Sequence, residues 1–107
     1  MELQQQTMSY ARDLRGVTHA LSSVQRELRS VAVTAQQINS YAPNVPLYRA
    51  VGKGFLLSPR DNIEAHLSKE AGKLDKTQKD LEGRREYLER RIASNRSNMQ
   101  DIASTAA

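Results

Sequence analysis

Tyr41-Ala42-Pro43-Asn44-Val45-Pro46-Leu47-Tyr48-Arg49-Ala50-Val51-Gly52-Lys53-Gly54-Phe55-Leu56-Leu57-Ser58-Pro59-Arg60-Asp61 separates two stretches that carry the same apolar repeat. Pro43 and Pro46 stop a helix arriving from the N-terminal side. Each removes a backbone donor and drives the preceding residue out of the α region. Leu47 to Val51 and Phe55 to Leu57 are short apolar runs on either side of Gly52-Lys53-Gly54, the pattern of a β-hairpin over 46–57. An irregular loop is the alternative. Ser58-Pro59-Arg60-Asp61 then reads as a helix start. Ser58 is the expected N-cap, Pro59 fits the first helical position, and Asp61 meets the positive end of the helix dipole.

Outward from this elbow, the repeat is heptad-like on both sides. In the first stretch Leu3, Tyr10, Leu14, Val17, Leu21, Val24, Leu28, Val31, Ala35 and Ile38 recur at alternating spacings, with Thr7 the single polar residue on the stripe. In the second, Leu67, Ala71, Leu74, Leu81, Leu88, Ile92, Met99 and Ile102 recur likewise, interrupted by Gln78, Arg85 and Asn95. Such a stripe is too narrow for a globular core and suits a coiled-coil seam. The expected fold class is mainly α: a long antiparallel two-helix coiled coil with a short β-hairpin at the connection, one domain over 1–107. The first helix is expected over 2–41 and the second over 59–102, with Ser104 to Ala107 fraying. The β-branched run Val31-Ala32-Val33-Thr34, followed by a capping box of Thr34 and Gln37, makes a break near 31–34 as compatible with the sequence as one continuous helix.

Setting the seams against each other gives a register. Leu14 faces Leu88, Leu21 faces Leu81, Leu28 faces Leu74, Leu3 faces Met99, and Arg85 faces Val17. In this register Thr7 meets Asn95. A slip of one heptad sets each of them against an apolar partner, at about 1–3 kcal/mol for an unpaired buried polar group. Helices of this length each reach roughly 60 Å by their rise of 1.5 Å per residue.

The composition bounds the function. With 107 residues, 38% apolar and 5% aromatic, a large compact core is not expected. The net charge of +4 is modest. Arg84, Arg85, Arg90 and Arg91 are diluted along the chain by Glu82, Glu86 and Glu89, unlike the concentrated basic face of a nucleic-acid binder. The absence of cysteine excludes a disulfide framework and thiolate metal ligation, and fits a reducing compartment. Met1 to Thr7 lack the pattern of a signal peptide, and no apolar run reaches membrane-spanning length. A soluble, cytoplasmic protein with no membrane partner is the expectation.

No catalytic, cofactor or metal site is expected. His19 and His66 fall on outer helix faces, and Gly52-Lys53-Gly54 lacks the spacing of a phosphate loop. A coiled coil offers no pocket in which to desolvate a nucleophile. Two surfaces remain. The hairpin carries more apolar side chains than a chain without a core can cover, so it is expected to assemble with other subunits. Met1, Leu3, Met8, Met99 and Ile102 fall near the far end of the hairpin of helices, where flexible methionines suit varied partners.

The elbow resembles that of prefoldin β-type subunits. Leu47-Tyr48-Arg49-Ala50-Val51-Gly52-Lys53-Gly54-Phe55 is similar to the family's V-Y-x-x-V-G-x-x-F hairpin, with Leu47 for the usual Val. Gly54 stands where a larger residue, often Met, is common. Arg84-Arg85-Glu86-Tyr87-Leu88-Glu89 resembles the K-K-x-Y-L-E stretch of eukaryotic subunit 1 proteins. The resemblance implies an ATP-independent chaperone heterohexamer of two α-type and four β-type subunits. It implies that Leu47, Tyr48, Val51, Phe55 and Leu57 belong to the oligomer interface. Leu3, Met8, Met99 and Ile102 would belong to a client-binding tip that holds unfolded actin and tubulin for the cytosolic chaperonin. A structural coiled-coil tether or cytoskeletal subunit, with the elbow as mere connector, is the alternative.

Overall fold

The computed structural model describes residues 2–42, 45–51 and 54–106, with the strand residues Arg49 to Val51, Phe55 and Leu56 described by backbone alone. Helix α1 runs Glu2–Ser40, strand β1 Leu47–Val51, strand β2 Gly54–Ser58, and helix α2 Arg60–Ala106. The expected turn at Gly52-Lys53 and the Pro43-Asn44 part of the helix stop lie outside the described residues.

α1 passes through 31–34 without a break. The Thr34 hydroxyl donates to the Ser30 carbonyl at 2.9 Å, a bond made inside a running helix rather than at a cap. Propensity penalties of a few tenths of a kcal/mol per β-branched residue are small beside tertiary packing. Val31 and Ala35 line an apolar groove with Leu67 and Ala71, which a break would dismantle.

The start of α2 differs from the expectation by one residue. Ser58 does not cap the helix. It ends β2, opposite Leu47 in the ladder. The Pro59 carbonyl accepts from the Asn62 and Ile63 amides at 3.1 and 3.2 Å, so Pro59 is the capping residue and Arg60 the first helical one. Proline costs nothing there, because that position needs no donor. At the other end, α2 continues past residue 102 to Ala106. The Thr105 hydroxyl bonds back to the Asp101 carbonyl at 2.9 Å within that last stretch.

The chain forms two compact units. Met1–Val24 with Thr77–Ala107 make the first, and Gln25–Lys76 the second. In the first unit the two helical segments are antiparallel: Tyr10 meets Arg91, and Asp13 lies 3.9 Å from Arg84. Arg91 is one residue from Ile92, which the expected register sets opposite Tyr10. The seam's centre is Leu21, Leu88 and Ile92, all buried, with Leu88 fully so. In the second unit Ile38 is buried, and β1 and β2 pair antiparallel from Leu47↔Ser58 to Val51↔Gly54. Among the described residues, no helix is long and apolar enough to cross a membrane.

Candidate functional site

The ladder of the second unit decides which hairpin residues share a face. Tyr48 pairs with Leu57 and Ala50 with Phe55, while Leu47 pairs with Ser58 and Val51 with Gly54. Alternation therefore splits the five expected interface positions. Tyr48, Phe55 and Leu57 hold positions on one face, Leu47 and Val51 on the other. Tyr48 is 63% and Leu57 60% exposed, an aromatic–aliphatic pair across the strands. Leu47 is half-buried, in a groove with Ile38, Tyr41, Ile63 and Leu67 that Tyr48 also lines. The side chains of Val51 and Phe55 lie outside the described set.

A contact that the sequence reading missed joins the two helix ends around this hairpin. The Arg60 guanidinium donates through Nη2 to the Ile38 carbonyl, and to the Tyr41 carbonyl at 2.9 Å. Its Nε lies 3.7 Å from the Glu64 carboxylate. The last carbonyls of a helix have no partner within it, and the dipole makes that end negative. α1 has no basic residue in its last turn. Arg60, from the first turn of α2, supplies the cation instead. The missing base at the end of α1 was the one legible signal.

The second unit also holds His66, whose Nε2 lies 3.4 Å from the Glu70 carboxylate one turn along. The pair is about half exposed, and no group of three metal-ligating side chains occurs among the described residues.

The four expected tip residues all fall in the first unit, close to the chain ends. Leu3 and Met99 are half-buried, Ile102 is 47% exposed, and Met8 is 68% exposed on an outer face away from the seam. Three of them follow the apolar stripe of the sequence and Met8 does not. The Thr7–Asn95 pairing expected beside them is not made. The Thr7 hydroxyl donates to the Leu3 carbonyl at 2.7 Å. Asn95 is buried, with its Nδ2 lacking any hydrogen-bond partner.

Farther along the same unit, the helix separates charges that looked mixed in the sequence. Arg84 stacks on the Tyr87 ring at 5.6 Å and Arg91 on the Tyr10 ring at 5.7 Å. Glu89 lies on another flank, in a shallow groove with Arg15, Arg96 and Ala93. The hydrogen bond with Tyr10, first of all, holds the exposed Arg91 guanidinium above its ordinary pKa. The Arg91–Tyr10 stack joins α2 to α1, whereas the Arg84–Tyr87 stack lies within α2.

Known proteins share both the sequence and the architecture. Residues 1–105 match the family model described as prefoldin subunit. The chain is 30% identical over 82 residues to prefoldin subunit 1 of Tetraodon nigroviridis, across 77% of this chain and 65% of that protein. It is 19% identical over 101 residues to the probable prefoldin subunit 1 of Dictyostelium discoideum, across 94% and 88% of the two chains. The prefoldin beta subunit from a Thermococcus strain superposes with a TM-score of 0.89 at 22% identity, covering 94% of this chain and 89% of that one. With nearly its whole length matched in sequence and in fold, the chain belongs to the prefoldin subunit family and has the fold of the β-type subunit.

Proposed function

We propose that this chain is an ATP-independent molecular chaperone subunit of a prefoldin heterohexamer, working with α-type and other β-type subunits. The observation that carries the reading is the cross-strand pair Tyr48 and Leu57, both more than half exposed on a hairpin of only two strands. An isolated hairpin is marginal in water, and its unpaired edges accept further strands. Neighbouring subunits' hairpins would cover this pair and extend the ladder through Leu47, Tyr48, Val51, Phe55 and Leu57.

In this reading Leu3, Met8, Met99 and Ile102 hold unfolded chains, actin and tubulin among them, for transfer to the cytosolic chaperonin. The work takes place in the cytoplasm, without nucleic acid or membrane. No step calls for catalysis or a cofactor: apolar contact holds an unfolded chain, and the load is shared among several arms. A tether would have no use for an exposed apolar hairpin at its elbow, which weighs against the alternative. Co-expression with candidate partner subunits, followed by native mass measurement, tests the assembly. A particle of six small chains is expected. Isolation of the chain only with unrelated coiled-coil proteins would overturn the reading.

A further inference from the structure

Among the described residues, no α2 side chain beyond Asn95 is buried, and no α1 side chain before Leu21. Asn95 itself is 4% exposed, and its Nδ2 is sealed from solvent without an acceptor. Thr7, the polar residue that the register sets opposite, has committed its hydroxyl proton to the Leu3 carbonyl. The last buried position of this seam is therefore polar and unsatisfied. On its other side Ile92 and Leu88 are buried and apolar.

We propose that Asn95 sets the point from which the end of the first unit opens to admit an extended, unfolded polypeptide segment. The freed carboxamide then donates to a backbone carbonyl of that segment. The inference rests on the chaperone reading and adds to it where and how the client enters. A buried donor without an acceptor disfavours the closed state, and separation of the helix ends relieves that penalty. Opening stops at Ile92 and Leu88, where separation would expose apolar surface with no polar gain. Leu3, Met99 and Ile102 border the opened end and offer apolar contact to the entering side chains. An extended chain carries unpaired carbonyls along its length, whatever its sequence, whereas a folded protein has paired most of its own. One carboxamide beside flexible apolar side chains thus recognises the unfolded state rather than a particular client.

The test compares wild type, Asn95→Leu and Gln78→Leu, each assembled with its partner subunits. Gln78→Leu makes the same kind of seam replacement at the other end of the unit. Asn95→Val repeats the first change should leucine not fit. Amide exchange reads the opening, and binding of fluorescein-labelled, reduced and carboxymethylated α-lactalbumin, which stays unfolded, reads the capture. Asn95→Leu is expected to slow exchange at 2–8 and 97–104 about tenfold and to weaken probe binding at least threefold, with Gln78→Leu changing neither. Unchanged exchange at these ends in both Asn95 variants would overturn the proposal. So would slower exchange with undiminished binding. If the wild-type complex fails to bind the probe, the chaperone reading falls and the client part of this proposal with it. The exchange contrast between Asn95→Leu and Gln78→Leu would still decide whether Asn95 sets the opening.

Discussion

The Arg60 guanidinium, in the first turn of α2, donates to the Ile38 carbonyl in the last turn of α1. One side chain thus closes the base of the hairpin, adding a second donor to a carbonyl that already accepts from the Tyr41 amide at 3.2 Å and opposing the negative end of the α1 dipole. The same group reaches the Tyr41 carbonyl, and its Nε is buried without a hydrogen-bond acceptor. The contact is therefore partly withdrawn from water.

Arg60→Met keeps most of the apolar stem and removes the donors. It should destabilise the second unit by about 0.5–1.5 kcal/mol, the net worth of a hydrogen bond, because the Ile38 carbonyl keeps the Tyr41 amide as donor. Thermal unfolding followed by circular dichroism measures this. Faster amide exchange confined to residues around 38–41 and the hairpin would place the loss there. A variant as stable as wild type would show that water replaces the guanidinium without penalty.

Leu88→Ala tests the seam. Leu88 is fully buried, so truncation should cost about 2–5 kcal/mol, with the spread set by how far α1 collapses into the space. Denaturant titration reads the loss. A cost below about 1 kcal/mol would mean that the two helical segments scarcely depend on each other there.

Leu57→Asp should leave the helical content of the isolated chain nearly unchanged, since Leu57 is 60% exposed there. Heterohexamer formation should fail, because the charge would have to be buried beneath a neighbouring hairpin at a cost of several kcal/mol. Phe55→Asp is expected to behave in the same way. Entry of either variant into the particle at the wild-type level, read by native mass measurement, would remove that residue from the interface.

The isolated chain should not be a well-behaved monomer. Tyr48 and Leu57 are each more than half exposed, so self-association or an unprotected hairpin is expected until partners are added. A sharp monomer in analytical ultracentrifugation, with slow amide exchange at 47–51 and 54–58, would contradict this.

Deleting residues 1–8 and 99–107 removes Leu3, Met8, Met99 and Ile102 together while leaving the second unit whole. Single substitutions there should matter little, since each side chain contributes at most about 1.5–3 kcal/mol and several arms share a client. The double truncation should weaken suppression of client aggregation while the heterohexamer still forms. Unchanged suppression would make these ends structural in this subunit.

Sequence by itself determined the large features, because they rest on local or periodic physics. A heptad of apolar residues can bury its stripe only against another helix. Pro43 and Pro46 forbid helix, and apolar runs flanking glycines favour paired strands. These facts gave two antiparallel helices around a hairpin. The tertiary structure decided where local preference and packing disagree. The weak propensity of Val31 to Thr34 yields to the groove shared with Leu67 and Ala71, so α1 runs on. Ser58 caps well in isolation, yet its ladder pairing with Leu47 moves the cap to Pro59 and the helix start to Arg60. Arg84 and Arg91, diluted by glutamates along the chain, become a flank stacked on tyrosines because a helix sorts residues by angle rather than by order. Thr7 and Asn95 were matched by register alone. Register fixes the level at which two residues meet, but not which acceptor a hydroxyl takes. A carbonyl one turn back was within reach of Thr7, and Asn95 was left with an amide that no described residue accepts.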